Sequence, residues 1–361
     1  MAGELRWSDE QHELSSMMRS LLAKHSDSET VRSAADSSCG FDEKLWRLLC
    51  DQVGVPALGI PGEHGGAGFG FQETAVVLEQ LGYSLTPSPL LAGVIATETL
   101  LRSGDSEACA RLLPDIAAGQ VATLAWSGPS GMPGRPEAVV ANEALLTGTV
   151  PLVLDGDTAQ TLLVAARTPD GVGLFEVPTD ADTLSRTRTP AMDLTLSVAT
   201  VQLDQVEGTR IGGDVTAVLA EVHAVASAAV ASLQVGLAQR GLDMTVAYSK
   251  EREQFGRPIG SFQALKHRMA DLLVLVETAR SAAMDAAFAV AGDSHLVRRT
   301  SVAKSWCSDA LSDVAAETIQ LHGGIAITWE HDAHLVLKRA HALGLLFGPA
   351  HAHRRVVASS A

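Results

Sequence analysis

The chain has 361 residues, 46% of them hydrophobic, enough to enclose two or three separate cores. Its formal charge of −15 repels polyphosphate chains and anionic lipid surfaces, so nucleic acid and membrane are excluded as partners and any phosphate must be met by a few placed cations. The four cysteines, Cys39, Cys50, Cys109 and Cys307, show no CxxC spacing, the N-terminus lacks a signal-peptide layout, and no uninterrupted apolar stretch reaches the roughly 18 residues of a membrane span; a cytoplasmic chain with reduced thiols is expected.

In chain order, Ser8 and Gln11 form a capping box, followed by Leu14, Met17, Met18, Leu21 and Leu22 at helical spacing. Asp42 caps a second helix carrying Leu45, Leu48, Leu49 and Val53, which Gly54 and Pro56 end. The run Ile60 to Gly68 is turn chemistry, and helical patterns resume from Phe71 to Gly119. From Val121 the period changes: Val121–Trp126, Leu145–Val150, Thr161–Ala166, Gly173–Val177 and Ser197–Leu203 read as short strands. After Gly212-Gly213 long helical segments return, broken at Gly256-Arg257-Pro258, Gly292-Asp293 and His322-Gly323-Gly324. Four such helices make a bundle. The expected fold is therefore α+β and multidomain: an N-terminal α-helical domain (1–120), a small β-barrel-like middle domain (121–211) and a C-terminal four-helix bundle (212–361).

Two segments carry a family resemblance. Arg252-Glu253-Gln254-Phe255-Gly256-Arg257-Pro258-Ile259-Gly260-Ser261-Phe262-Gln263 closely resembles the flavin-binding signature of acyl-CoA dehydrogenases, and Gln320-Leu321-His322-Gly323-Gly324-Ile325-Ala326-Ile327-Thr328 resembles the same family's glycine-bearing turn. The Pro61–Gly68 loop and Glu79-Gln80-Leu81-Gly82 are similar to its N-terminal domain, so the resemblance spans the whole chain. It implies FAD as cofactor, with Arg252, Gln254, Phe255, Ile259, Gln263, Gln320, Gly323 and Gly324 contacting the FAD seated in a neighbouring subunit. The residue types suit that ligand. An Arg offers paired donors to pyrophosphate oxygens, and bare glycine backbone admits their close approach. Read singly, Arg252 is a solvated helix-end cation, Phe255 a core ring and Gly323-Gly324 a plain helix stop.

The pattern breaks where the family places its catalytic glutamate. Counting from Gly323-Gly324, the base position falls on Phe347; the alternative position, counted back from Gly236-Leu237-Ala238-Gln239, falls on Ala226. Neither can accept a proton. Glu221 is the nearest carboxylate and the weak candidate for a displaced base, about one and a half turns away; otherwise it is a solvated charge. His223 and His322 read as structural histidines. The flavin-ring elements also depart from the family: Ala125-Trp126-Ser127-Gly128-Pro129-Ser130-Gly131 lacks the acidic and second hydroxyl residues, leaving Ser127 and Ser130 as candidates, and Leu152-Val153-Leu154-Asp155-Gly156 replaces a Trp-bearing strand. The half of a FAD site lent to a neighbour is thus present while the half kept for itself is eroded. With Thr328–Asp332 and Leu337–Ala340, this is similar to one side of the paired subunits of steroid-degrading bacteria. The resemblance implies a heterotetramer, two copies each of this chain and a homologous subunit that holds the Glu. It also implies a bulky acyl-CoA substrate and electron-transfer flavoprotein as acceptor. A self-sufficient homo-oligomeric flavoenzyme and a flavin-free scaffold are the alternatives.

Overall fold

The computed structural model describes residues 5–126 and 138–359. In chain order it forms helices α1 (Asp9–His25), α2 (Ser28–Asp36), α3 (Glu43–Val53), α4 (Phe71–Tyr83), α5 (Leu90–Ser103) and α6 (Ser106–Ala117). Strands follow: β1 (Ala122–Ala125), β2 (Val139–Asn142), β3 (Leu145–Leu154), β4 (Thr161–Thr168), β5 (Gly171–Val177), β6 (Leu184–Arg188), β7 (Val198–Glu207) and β8 (Thr209–Ile211). After them come α7 (Thr216–Glu251), the hairpin strands β9 (Glu253–Gln254) and β10 (Arg257–Pro258), and helices α8 (Gln263–Ala289), α9 (Leu296–His322), α10 (Ala333–Leu345) and α11 (Ala350–Ser359). The helix–strand–helix order is the expected one. The elements α2, α11, β2, β6 and β8 were not anticipated, because each is too short or too polar to show a period.

The described residues gather into two compact units, one of Met1–Glu29, Ala75–Thr86 and Ser227–Ala361, the other of Thr30–Thr74 and Pro87–Ala226. The first is helical. Its α1 starts on the capping box: Ser8 Oγ accepts from the Gln11 N–H at 3.2 Å while Gln11 Oε1 accepts from the Ser8 N–H at 2.9 Å. Helices α4 and α7 cross with their backbones nearly touching. A Cβ on Gly236 would lie 1.8 Å from the Glu79 carbonyl oxygen, and one on Gly82 would lie 2.2 Å from that of Leu233. Arg280 of α8 fastens the crossing, pairing with Glu79 and donating to Gln239 Oε1 at 2.8 Å, while Tyr83 donates to Asp243 at 3.0 Å. Burial pushes the Glu79 carboxyl above its usual range and the Arg280 guanidinium opposes that. The Glu79–Gly82 motif is therefore accounted for by packing. Helices α8 and α9 run antiparallel, pinned by Arg268–Glu317 at one end and Arg299–Asp285 at the other.

The second unit is built on an eight-stranded mixed sheet of order β6-β7-β3-β2-β4-β5-β8, with β1 added in parallel to β4. Alternating side chains such as Leu146, Val150, Leu162, Val164, Phe175 and Val201 meet in one apolar core. Asp42 Oδ1 accepts from the N–H groups of Lys44 and Leu45 to start α3, and Gly54, at φ 69°, ends it. Arg188 at the end of β6 is fully engaged by Asp157 and by the carbonyls of Ser37 and Ser38.

Helix α7 is the one helix among the described residues long and apolar enough to cross a membrane, and 72% of its most apolar window is buried inside the fold. Its small residues, among them Ala226, Ala228, Ala229 and Ala231, are fully buried, so the composition serves close packing. None of the four cysteines is in a disulfide.

Candidate functional site

The two signature segments meet at one end of the helical unit. Helix α7 ends at Glu251, and Arg252 opens a two-residue hairpin in which Gln254 pairs with Arg257. The turn residues Phe255 and Gly256 both have positive φ, 57° and 76°, as a type I′ turn requires. That conformation is natural for glycine and costs a phenylalanine about 1–2 kcal/mol. The Arg252 carbonyl accepts from the Ile259 N–H at 2.8 Å, closing the hairpin base. Four residues before Arg252, Tyr248 stacks on His322 with ring centroids 4.6 Å apart, which brings the hairpin beside the turn at Gly323-Gly324.

This end is open. Phe255 is 92% exposed, set edge-on to the Phe262 ring with centroids 6.1 Å apart, so it is not the core ring that its type suggests. The Arg252 side chain has neither counter-ion nor hydrogen-bond partner among the described residues. A Cβ on Gly256, Gly323 or Gly324 would meet nothing within 4 Å, so the backbone there is bare. Gln254 and Gln320 are exposed, Ile259 is half-buried, and Gln263 is exposed with its amide nitrogen 2.8 Å from His267 Nε2. Ile325, Ile327 and Trp329, 45%, 76% and 54% exposed, add apolar area. Trp329 stacks on His334 at 5.0 Å and takes the Lys338 ammonium over its ring. The sequence reading missed Tyr248 and Arg257; the latter's guanidinium lies 4.0 Å over Phe262. A cation without a partner among the described residues, glycine backbone open to close approach and exposed rings form a surface suited to a pyrophosphate-bearing planar cofactor, so the residues present fit their share of a FAD site.

The proton-accepting positions are closed. Ala226 is completely buried and Phe347 is 5% exposed, with φ 57°. Glu221 projects to solvent and pairs with Arg102 at 2.7 Å, which leaves it a surface charge. His322 donates from Nδ1 to the Thr318 carbonyl at 2.7 Å, and burial holds its pKa below the ordinary value. His223 is buried, its ring 6.2 Å from Trp126. Ser127 and Ser130 lie outside the described residues. At the end of β3, Leu152 is exposed at φ 57° and Asp155 is buried at φ 48°.

A helical N-terminal part, a mixed sheet and a C-terminal helical bundle bearing an anion-ready hairpin define a class of flavin-dependent oxidoreductases. The "Acyl-CoA dehydrogenase, N-terminal domain" description matches residues 8–120 and the "Acyl-CoA dehydrogenase, C-terminal domain" description matches residues 218–361. The chain belongs to the acyl-CoA dehydrogenase family, FAD-dependent oxidoreductases acting on a CH–CH bond of acyl-CoA. It is 42% identical over 345 residues to "Acyl-CoA dehydrogenase IpdE2" of Mycolicibacterium smegmatis, covering 95% of this chain and 96% of that one. The Mycobacterium tuberculosis protein of the same name is 39% identical, with 96% of each chain covered. Among solved structures, a "Tcur3481-Tcur3483 steroid ACAD" variant superposes with a TM-score of 0.86 at 32% identity over 97% of both chains. The "ChsE4-ChsE5 complex" from Mycobacterium tuberculosis superposes with a TM-score of 0.91 at 28% identity, over 99% of this chain and 98% of that one.

Proposed function

We propose that this chain is the base-less subunit of a heteromeric acyl-CoA dehydrogenase that desaturates a bulky, steroid-derived acyl-CoA between its α and β carbons. The observation that carries the reading is the pair Phe347 and Ala226: apolar, buried side chains at both positions where a carboxylate would take the α proton. That proton is only weakly acidic, so a placed base is needed, and the reading assigns it to a homologous partner subunit. FAD, when bound, supplies the acceptor for the hydride that leaves the β carbon.

This chain's part is cofactor binding. Arg252 meets the pyrophosphate as a charge-assisted donor, Gly323 and Gly324 leave room for the cofactor to approach the backbone closely, Gln254, Gln263 and Gln320 lend amides, and Phe255 with Ile259 covers apolar cofactor surface. The steroid part is supported by the likeness to a structure described as a "steroid ACAD", and the heteromer by the two paired complexes. Electron-transfer flavoprotein is the proposed acceptor. Co-expression with a homologous chain carrying an intact Glu tests the whole: a yellow complex holding about one FAD per pair of chains is expected, and one FAD per chain overturns the assignment. A self-sufficient enzyme using Glu221 finds no support, since that carboxylate is solvent-exposed and already paired with Arg102.

A further inference from the structure

At the bend that carries Phe347 lies a buried cation with no carboxylate partner among the described residues. Lys304 of α9 is fully buried, and its Nζ donates to the carbonyls of Gly344 and Gly348, each at 3.2 Å, and to Ser308 Oγ at 3.1 Å. Ser308 Oγ donates in turn to the Lys304 carbonyl at 2.7 Å. It also accepts at 2.9 Å from Gln234 of α7, whose amide nitrogen reaches the Leu343 carbonyl at 3.1 Å. From α11, His353 is 2.9 Å from the Phe347 carbonyl through Nε2 and 3.3 Å from Ser301 Oγ through Nδ1. A carbonyl only accepts, so Nε2 carries the proton and Nδ1 takes that of Ser301.

Four carbonyls, those of Leu343, Gly344, Phe347 and Gly348, are thus captured from three helices. They belong to the last turn of α10 and to the bend after it, where the helix leaves its carbonyls without intrahelical donors and where a cation is favoured by the helix dipole. Burial lowers the Lys304 pKa to about 8; Cys307 and Asp309 of its own helix and His353 of α11 are the titratable groups around it. Nothing in the stability of α9 itself calls for a cation there. What the network over-determines is the bend, and the bend holds Phe347 at a φ of 57°, a conformation that a large side chain avoids unless held.

We propose that Lys304 and His353 are positioning residues that lock residue 347 in one backbone conformation. The lock rests on the hydrogen bonds alone and stands apart from the function proposed above. Hydrogen exchange on the full-length chain tests the lock, because the Leu346 and Gly348 amides are themselves bonded, to Ala342 and Leu345. Lys304→Met and His353→Leu should each speed exchange at these two amides at least tenfold and leave the middle of α9 as it was. His353→Gln, which keeps an N–H for the Phe347 carbonyl, should restore protection. Unchanged exchange in both apolar variants, or identical exchange in the Leu and Gln variants, overturns the lock. If Lys304→Met fails to fold, the His353 pair decides, since it lies on the terminal helix.

Discussion

Arg252 is a cation that finds no counter-ion among the described residues, one residue before a hairpin whose base holds its carbonyl to the Ile259 N–H. Replacing it with Glu should remove a charge-assisted contact and add repulsion against pyrophosphate, a loss of at least about 2–3 kcal/mol, or roughly 30- to 150-fold in FAD affinity. Flavin absorbance of the purified complex checks this, with assembly confirmed by gel filtration. Arg252→Lys should lose less, because charge survives where paired geometry does not. Phe347→Glu should give no acyl-CoA turnover in the chain alone, since a base without an oriented hydride acceptor lacks half of the reacting geometry. A stopped assay with and without added FAD would show it. At His353, burial and the neighbouring Lys304 lower the pKa from 6.5 to about 4. The unfolded chain therefore takes up the proton first, and stability should fall as pH drops from about 6.5 to about 4. Melting temperatures across that range should show a shallower acid slope in His353→Gln than in the wild type.

The elements show why some of this was readable in advance. Helix α1 announced itself through Ser8 and Gln11, α3 through Asp42 and Gly54, and the three helix breaks of the C-terminal half through glycines that the chain needs at its bends. The short strands β2, β6 and β8 carry no such punctuation, and their pairing with β3, β7 and β5 is a property of the sheet rather than of any local run. The Phe255-Gly256 pair was legible as a motif; that the ring would stand 92% exposed was not, because residue type alone argues for burial. Likewise Lys304 gives no sign in sequence of being fully buried, since the carbonyls that hold it come from α10 and the bend, 40 or more residues away. Gly236 was noted only as a counting landmark, yet it is where α7 meets α4. Gly236→Ala should drive its methyl into the Glu79 carbonyl and destabilise the chain by at least about 2–3 kcal/mol, measurable by denaturant titration.

For the molecule as a whole, uncovered Phe255, Ile325, Ile327 and Trp329 beside an Arg252 unpaired among the described residues mark an end built to be covered. Expressed alone, the chain should be colourless or prone to associate, and a partner subunit should correct both, as absorbance and light scattering would report. A stable yellow homotetramer would contradict this. The hairpin at that end also bears on how quickly a partner can be met. Its turn is two residues long, its base is closed by the Arg252–Ile259 hydrogen bond, and the awkward backbone of Phe255 is set when the chain folds, before any other subunit arrives. Docking then freezes little that was loose, so encounter should be limited by orientation rather than by rearrangement.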